Sequence, residues 1–227
     1  CGEISKGAGR REPDLGARER SGSRLPTHDA MRRFLRPIVF LLCLTPMILV
    51  WTDLLLGHIR GDWIKEVTHR TGYWGLLLIA ATLAVTPLRR LSGWNQLQSC
   101  RRMLGLFGFF YIGVHFLVIY VILDKQVPWD PAFAWHEIVK DIAKRPYITV
   151  GFTGFVLMIP LALTSTKGWI RRLGKKWATV HSLVYLTALA GVVHFMWSLK
   201  ADRLRPTVIG VVMVVLLALR LVPARVL

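Results

Sequence analysis

Cysteine is scarce in this 227-residue chain: Cys1, Cys43 and Cys100 stand far apart, with no Cys-x-x-Cys pair. At most one disulfide can form among them, which excludes a disulfide framework and a thiolate zinc cluster. Acid is scarce too, with 13 Asp and Glu against 30 Lys and Arg and a formal net charge of +17. The third absence is soluble patterning. Apolar residues make up 53% of the chain, and they lie in long runs between short basic segments rather than at the periods of a soluble domain. A polytopic membrane protein is the class that remains. Its basic excess requires no nucleic acid, because the cytoplasmic loops of membrane proteins collect Lys and Arg.

Residues 1–36 are read as a disordered basic extension. Up to Asp29 the chain is rich in Gly, Arg, Glu and Ser and has three large aliphatic residues, too few to bury a core. Met31-Arg32-Arg33 reads as a translation start, so 1–30 are expected to belong to a fragment or to an overextended gene model rather than to the lipoprotein that the leading cysteine would suggest. No apolar h-region with a small-residue cleavage site precedes the first long hydrophobic run, so a signal peptide is not expected.

Within 37–227 six apolar segments follow, at 37–57, 71–88, 103–123, 147–163, 178–197 and 206–222. Each approaches the ~20 residues that cross a hydrocarbon core. The expected fold is therefore all-α, a six-transmembrane-helix bundle, with Pro46 and Pro160 kinking two of the spans. Arg89, Arg90, Arg101 and Arg102 in one loop, and Lys167, Arg171, Arg172, Lys175 and Lys176 in another, have no acid beside them and place both loops, and both termini, in the cytoplasm. The long loop 124–146 carries four bases, balanced by four acids; the alternation of spans and Arg32, Arg33 and Arg36 put it outside. Phe133, Ile138 and Ile142 within it suit a short amphipathic surface helix over 133–143. No internal repeat is visible.

Ionisable residues inside spans are functional candidates by default. They are Asp53, His115, His181 and His194, whereas His28, His58, His69 and His136 fall in the tail or in loops, where a solvated surface role is expected. At ~1.5 Å rise per residue, His115 lies about 18 Å along the third span, and His181 and His194 about 5 and 24 Å along the fifth. His115 thus matches His194 in depth to about 6 Å and His181 only to about 14 Å. An axial pair on one macrocycle must match in height, which selects His115 with His194. Gly108 and Gly191 beside them leave a slot for a planar ring, or simply let helices approach. Intramembrane imidazoles on two helices favour haem over a proton relay, and their depths are too spread for zinc. Asp53, near the outer end of the first span, reads as a partly solvated interface carboxylate.

Several runs in order carry a resemblance: Arg101-Arg102-Met103-Leu104-Gly105-Leu106, Gly113-Val114-His115-Phe116, Arg145-Pro146-Tyr147-Ile148-Thr149-Val150-Gly151, Leu163-Thr164-Ser165-Thr166, Arg172-Leu173-Gly174-Lys175-Lys176-Trp177, Val180-His181-Ser182-Leu183-Val184-Tyr185 and Val193-His194-Phe195-Met196-Trp197-Ser198. Over about residues 35–222 the chain closely resembles the MsrQ (formerly YedZ) family, the haem-binding membrane subunits of the bacterial protein-methionine-sulfoxide reductase system. That family belongs to the ferric-reductase-like transmembrane superfamily, which also contains the NADPH oxidases. The resemblance implies an inner-membrane b-type cytochrome that also carries FMN. Such a subunit passes electrons from the quinone pool to a periplasmic molybdopterin enzyme that repairs oxidised methionine in periplasmic proteins.

By position, the resemblance makes His115, His181 and His194 the haem histidines. Two-haem relatives carry a further histidine about one leaflet before the one at His115, but here that stretch reads Ser99-Cys100-Arg101-Arg102, so an inner haem on His181 lacks its usual partner. No dinucleotide-binding fingerprint follows the last span, and the flavin and NADPH domain of the oxidases is not expected. Arg101, Arg102, Lys175 and Lys176 would hold an FMN phosphate through charge-assisted contacts, or are only the positive-inside signal. Trp129, Phe133 and Trp135 offer the periplasmic partner an aromatic anchor, or form the interfacial belt. His69 is placed on the same face, within reach of a haem propionate or quinone oxygen. Two other classes compete: a self-sufficient transmembrane metalloreductase, and a haem-free transporter or scaffold.

Overall fold

Apolar runs punctuated by basic turns fold into helices, with no strand among the described residues. The computed structural model describes residues 26–125, 131–199 and 203–221. The first helix, α1 (Pro26–Leu55), begins well before the hydrophobic run, so 26–36, expected without structure, are helical. Pro26 stands where a missing N–H costs nothing, and good helix formers follow it. The rest of the expected extension, 1–25, lies outside the described residues.

Next is α2 (Trp63–Ser92), opened by the Asp62 carboxylate, which accepts from Lys65 N at 3.1 Å, and closed by Gly93 in the left-handed region at φ 68°. A 3₁₀ turn at Asn95–Ser99 leads to α3 (Arg101–Gly113), which continues without a break as a π-helix over Val114–Asp124. Surface helix α4 (Pro131–Lys144) is followed by α5 (Pro146–Leu163), with proline at its start, and by the short α6 (Lys167–Leu173) and α7 (Lys176–His181). The chain then forms α8 (Leu183–Ser198) and α9 (Leu204–Leu221).

Five helical stretches are long and apolar enough to cross a membrane: Phe34–Leu55, Trp63–Ser92, Arg101–Asp124, Pro146–Leu163 and Lys176–Ser198. The expected sixth span corresponds to α9, an 18-residue helix that packs on α2 and α8. The second span is the centre of the bundle, with 56% of its most apolar window buried against 17–22% for the others. From it Leu76, Ile79 and Leu83 meet Met158 of α5, Ala188, Val192 and Phe195 of α8, and Ile209 and Met213 of α9. Its buried threonines, Thr71 and Thr82, return their hydroxyls to the carbonyls of Val67 and Leu78. Outward faces carry exposed apolar side chains such as Leu42, Leu186 and Val214, the complement of a lipid surface.

Pro46 interrupts α1, as expected, and support comes from α3. The fully buried Tyr111 hydroxyl accepts from Met47 N–H and donates to Cys43 C=O, both at 2.8 Å, so it ties α3 to the backbone of α1 on either side of Pro46. Tyr111→Phe leaves one backbone donor and one acceptor unpaired in an apolar setting, at a cost of about 1–3 kcal/mol. The thermal midpoint of the detergent-solubilised protein should fall accordingly; an unchanged midpoint would remove Tyr111 from this role.

Candidate metal centre

His115 is the second residue of the π-helical half of the third span, and His194 lies in the last turns of α8. Each imidazole is tied back to a neighbouring helix through Nδ1, which donates to Thr68 C=O of α2 at 2.9 Å in one case and to Tyr147 C=O of α5 at 2.7 Å in the other. A carbonyl only accepts, so the proton sits on Nδ1 and Nε2 keeps its lone pair. This is the arrangement in which a ligating histidine is held, its outer nitrogen fixing tautomer and ring direction.

Glycines make the bonds possible. A Cβ on Gly72 would stand 3.0 Å from the His115 Nδ1, and one on Gly151 would stand 2.5 Å from the His194 Nδ1. Each ring therefore lies against bare backbone, on the glycine one turn beyond the carbonyl it bonds. The two halves are built alike: carbonyl and histidine are 47 residues apart in both. A second glycine, Gly75 or Gly154, admits Ile112 or Ala190 of the facing helix. This is an internal repeat, α2 with the third span and α5 with α8, where none was expected. Its signal is the sparse Gly-x-x-Gly at 72–75 and 151–154. Gly108, expected to form the slot with Gly191, instead admits Ile79 and serves helix approach, whereas Gly191 admits Leu76 and also lines the cavity between the two histidines.

The two rings face one cavity of about 420 Å³, walled by Leu76, Phe116, Phe155 and Met158. Their centres are 6.1 Å apart and their planes 81° from parallel. Two imidazoles on opposite sides of one metal ion, with bonds of about 2 Å, stand with centres about 6 Å apart. The donor set is two neutral nitrogens in apolar surroundings, and among the described residues no group of three or more His, Cys, Asp or Glu converges on a metal site. These observations fit haem iron and not zinc.

His181 is not brought to this pair. It stacks on Trp177 at 3.9 Å, at the other end of the bundle. The Thr164 hydroxyl spends its proton on Pro160 C=O and therefore accepts from His181 Nε2 at 3.1 Å. Its ring thus has the opposite tautomer, with Nε2 engaged. His69, expected in a loop, lies inside α2 and lines the cavity of the histidine pair. Asp53 pairs with Arg70 at 2.6 Å and His58 at 3.4 Å, as suits an interface carboxylate. Of the basic residues singled out, Arg102, Lys175 and Lys176 are exposed and Arg101 is half-buried.

At the cavity rim, Asp141 of α4 is buried and accepts from Tyr120 Oη at 3.0 Å, Lys125 Nζ at 3.0 Å and Arg145 Nε at 3.1 Å. This network turns Ala134, Ile138 and Asp141 inward and leaves Phe133 63% and Trp135 67% exposed. The amphipathic helix is present as expected, but Phe133 is on its outer face. Trp129 lies outside the described residues. Burial raises the Asp141 pKa, but the hydrogen bonds from Lys125 and Tyr120 and the charges of Lys125 and Arg145 outweigh it and hold the carboxyl below its usual range.

Residues 71–192, which run from beside Gly72 to just short of His194, match the family described as ferric reductase like transmembrane component. The chain is 43% identical over 204 residues to the protein-methionine-sulfoxide reductase heme-binding subunit MsrQ of Rhodospirillum rubrum, covering 89% of this chain and 93% of that protein. With the subunit of the same name from Ralstonia nicotianae it shares 47% over 191 residues, 83% of this chain and 85% of that one. The Xanthomonas campestris subunit is 47% identical over 160 residues, 70% of each.

The lowered pKa of Asp141 gives α4 a pH dependence. Its stabilising contribution is complete above the unfolded carboxyl pKa of about 3.9 and is lost as pH falls through the lower folded value. Protection factors of the α4 amides, corrected for intrinsic exchange, should be high at neutral pH and fall below about pH 4, and Asp141→Asn should lower them at every pH. Equal protection of wild-type α4 at pH 3 and pH 7 would contradict this.

Proposed function

The chain belongs to the ferric-reductase-like transmembrane family and, within it, to the MsrQ haem-binding subunits; it is a multi-pass protein of the bacterial inner membrane, and on that footing we propose that it holds one b-type haem between His115 and His194. The observation that carries this reading is the matched pair of imidazoles, each fixed through Nδ1 and resting on a glycine. Haem bound there supplies one-electron transfer. The chain's own groups do the rest. Thr68 and Tyr147 carbonyls orient the two rings, Gly72 and Gly151 give them room, and Phe116 and Phe155 keep the cavity apolar.

In this proposal the subunit has no substrate chemistry of its own. Electrons enter from the quinone pool and leave to a periplasmic molybdopterin-dependent methionine-sulfoxide reductase that repairs oxidised proteins. The curated relatives are named heme-binding subunits of a protein-methionine-sulfoxide reductase, which supports a subunit role over a self-sufficient metalloreductase. We take α9 as the sixth span, with both termini cytoplasmic, so the histidine pair and α4 face the periplasm. Phe133 and Trp135 are then exposed beside the cavity mouth, where a partner would dock. FMN belongs to the basic end, where half-buried Arg101 has exposed Arg102, Lys175 and Lys176 nearby in the chain or loops. His181 is an anchor of that end, with its Nε2 already engaged by Thr164.

The reduced spectrum of purified variants, with pyridine haemochrome for quantity, tests the site. His115→Ala and His194→Ala should lose the low-spin haem. Gly151→Ala should retain about a tenth or less, because its Cβ displaces the His194 ring from Tyr147 C=O, and Gly72→Ala should be milder. His181→Ala should keep the haem. Full low-spin absorption in His194→Ala, or loss in His181→Ala with the protein still folded, would sink the assignment.

A further inference from the structure

The end of the bundle away from the paired histidines holds charge that the described chain does not answer. From Phe34 on, the acids among the described residues are Asp53, Asp62, Glu66, Asp124, Glu137 and Asp141, and all belong to the opposite end. At the basic end, Arg89 of α2, Arg101 at the start of α3 and Arg220 in the last turn of α9 converge. Arg101 is within electrostatic reach of both other arginines and of Tyr185 on α8. One of the three has a structural task. Pro87 has no N–H, so Leu83 C=O lacks its helical donor, and Arg220 Nη2 supplies one at 2.8 Å while Nη1 donates to the Tyr185 hydroxyl at 2.9 Å.

That task occupies two nitrogens and none of the charge. Arg89 Nε and Arg220 Nε are each buried with no hydrogen-bond partner. Among the described residues, the ion pairs involve Asp53, Glu66, Asp124, Glu137 and Asp141, and none includes these three arginines. Like charges gathered at the edge of a hydrocarbon layer repel one another and are poorly solvated. The described residues supply no counter-charge, and another molecule can provide it.

The surroundings indicate which one. Tyr185 is 38% exposed, and Leu186 and Leu189 beside it on α8 are 55% and 57% exposed, so the cluster borders the lipid-facing surface. The Tyr185 hydroxyl accepts from Arg220, which leaves its own proton for an anion. Guanidinium forks match phosphate oxygens, and an acyl chain suits the Leu186–Leu189 surface. The geometry points to a binding site for the phosphate of an anionic phospholipid headgroup, built from Arg89, Arg101, Arg220 and Tyr185. It does not depend on the haem reading, but it gives Arg101, named above for the FMN end, to a lipid phosphate, and the test separates the two occupants.

Native mass spectrometry of the haem-loaded protein in non-ionic detergent tests the site, by titration with phosphatidylglycerol, phosphatidylethanolamine and FMN. The first phosphatidylglycerol should bind about tenfold tighter than phosphatidylethanolamine. Arg89→Gln or Arg101→Gln should each weaken it about fivefold. The double variant Lys167→Gln/Arg171→Gln, on exposed α6 at the same end, should bind like wild type, and the haem spectrum should be the same in all. FMN that competes with phosphatidylglycerol and shows the same arginine dependence would overturn the lipid as occupant while keeping the phosphate site. Equal binding of the two lipids, or binding unmoved by both arginine changes, would overturn the proposal.

Discussion

Two hydrogen bonds, from imidazole Nδ1 to a main-chain carbonyl on the next helix, set the terms for the rest of this molecule. They turn Nε2 of His115 and His194 into one cavity, and they require the carbonyl-bearing helices to come close enough for each ring to touch backbone. Only glycine allows that approach, so Gly72 and Gly151 follow from the bonds rather than from any need for flexibility. Helix pairing follows in turn. The second span pairs with the third and α5 with α8, because each pair carries one carbonyl, one glycine and one histidine. The cavity is where the two pairs meet.

A second constraint is that backbone groups in a membrane must find partners inside the protein. The prolines show how this is met. Beside Pro46 in α1, Tyr111 engages the backbone on both sides with both functions of its hydroxyl; Pro87 leaves Leu83 C=O without a helical donor, and Arg220 supplies one from α9. Both contacts tie sequence-distant helices together, so the breaks that would weaken a single helix fasten the bundle. The π-helix over Val114–Asp124 belongs to the same economy of main-chain bonds, at the place where the third span presents His115.

Much of this was legible in the sequence, and the reasons differ by feature. Span positions followed from length and apolarity, which lipid imposes directly. The match of His115 with His194 followed from helix rise, since depth along a straight helix is simple arithmetic, and the rings do face one another. Proximity in sequence points to Gly108 and Gly191, of which Gly191 lines the cavity; Gly72 and Gly151 are not legible that way because a ring is accommodated by the helix it faces. His69 was placed in a loop because apolarity marks only the hydrocarbon-embedded part of α2, which begins at Trp63 in a polar turn. The amphipathic character of α4 is legible from Phe133, Ile138 and Ile142, but the buried, fully partnered Asp141 that sets its inward face is not, because its partners Tyr120, Lys125 and Arg145 meet it only in the fold. Arg89 and Arg101 belong to one basic loop in the sequence, but Arg220 is more than a hundred residues away and joins them only through the packing of α9 on α2 and α8.

The central claim is a single haem held by two imidazoles whose planes are nearly perpendicular. Electron paramagnetic resonance of the oxidised protein addresses it directly, because the angle between axial imidazole planes governs the anisotropy of low-spin ferric iron. The account predicts one strongly anisotropic low-spin signal that integrates to about one spin per chain. Two low-spin signals, a rhombic signal of parallel imidazoles, or high-spin iron as the main species would contradict it.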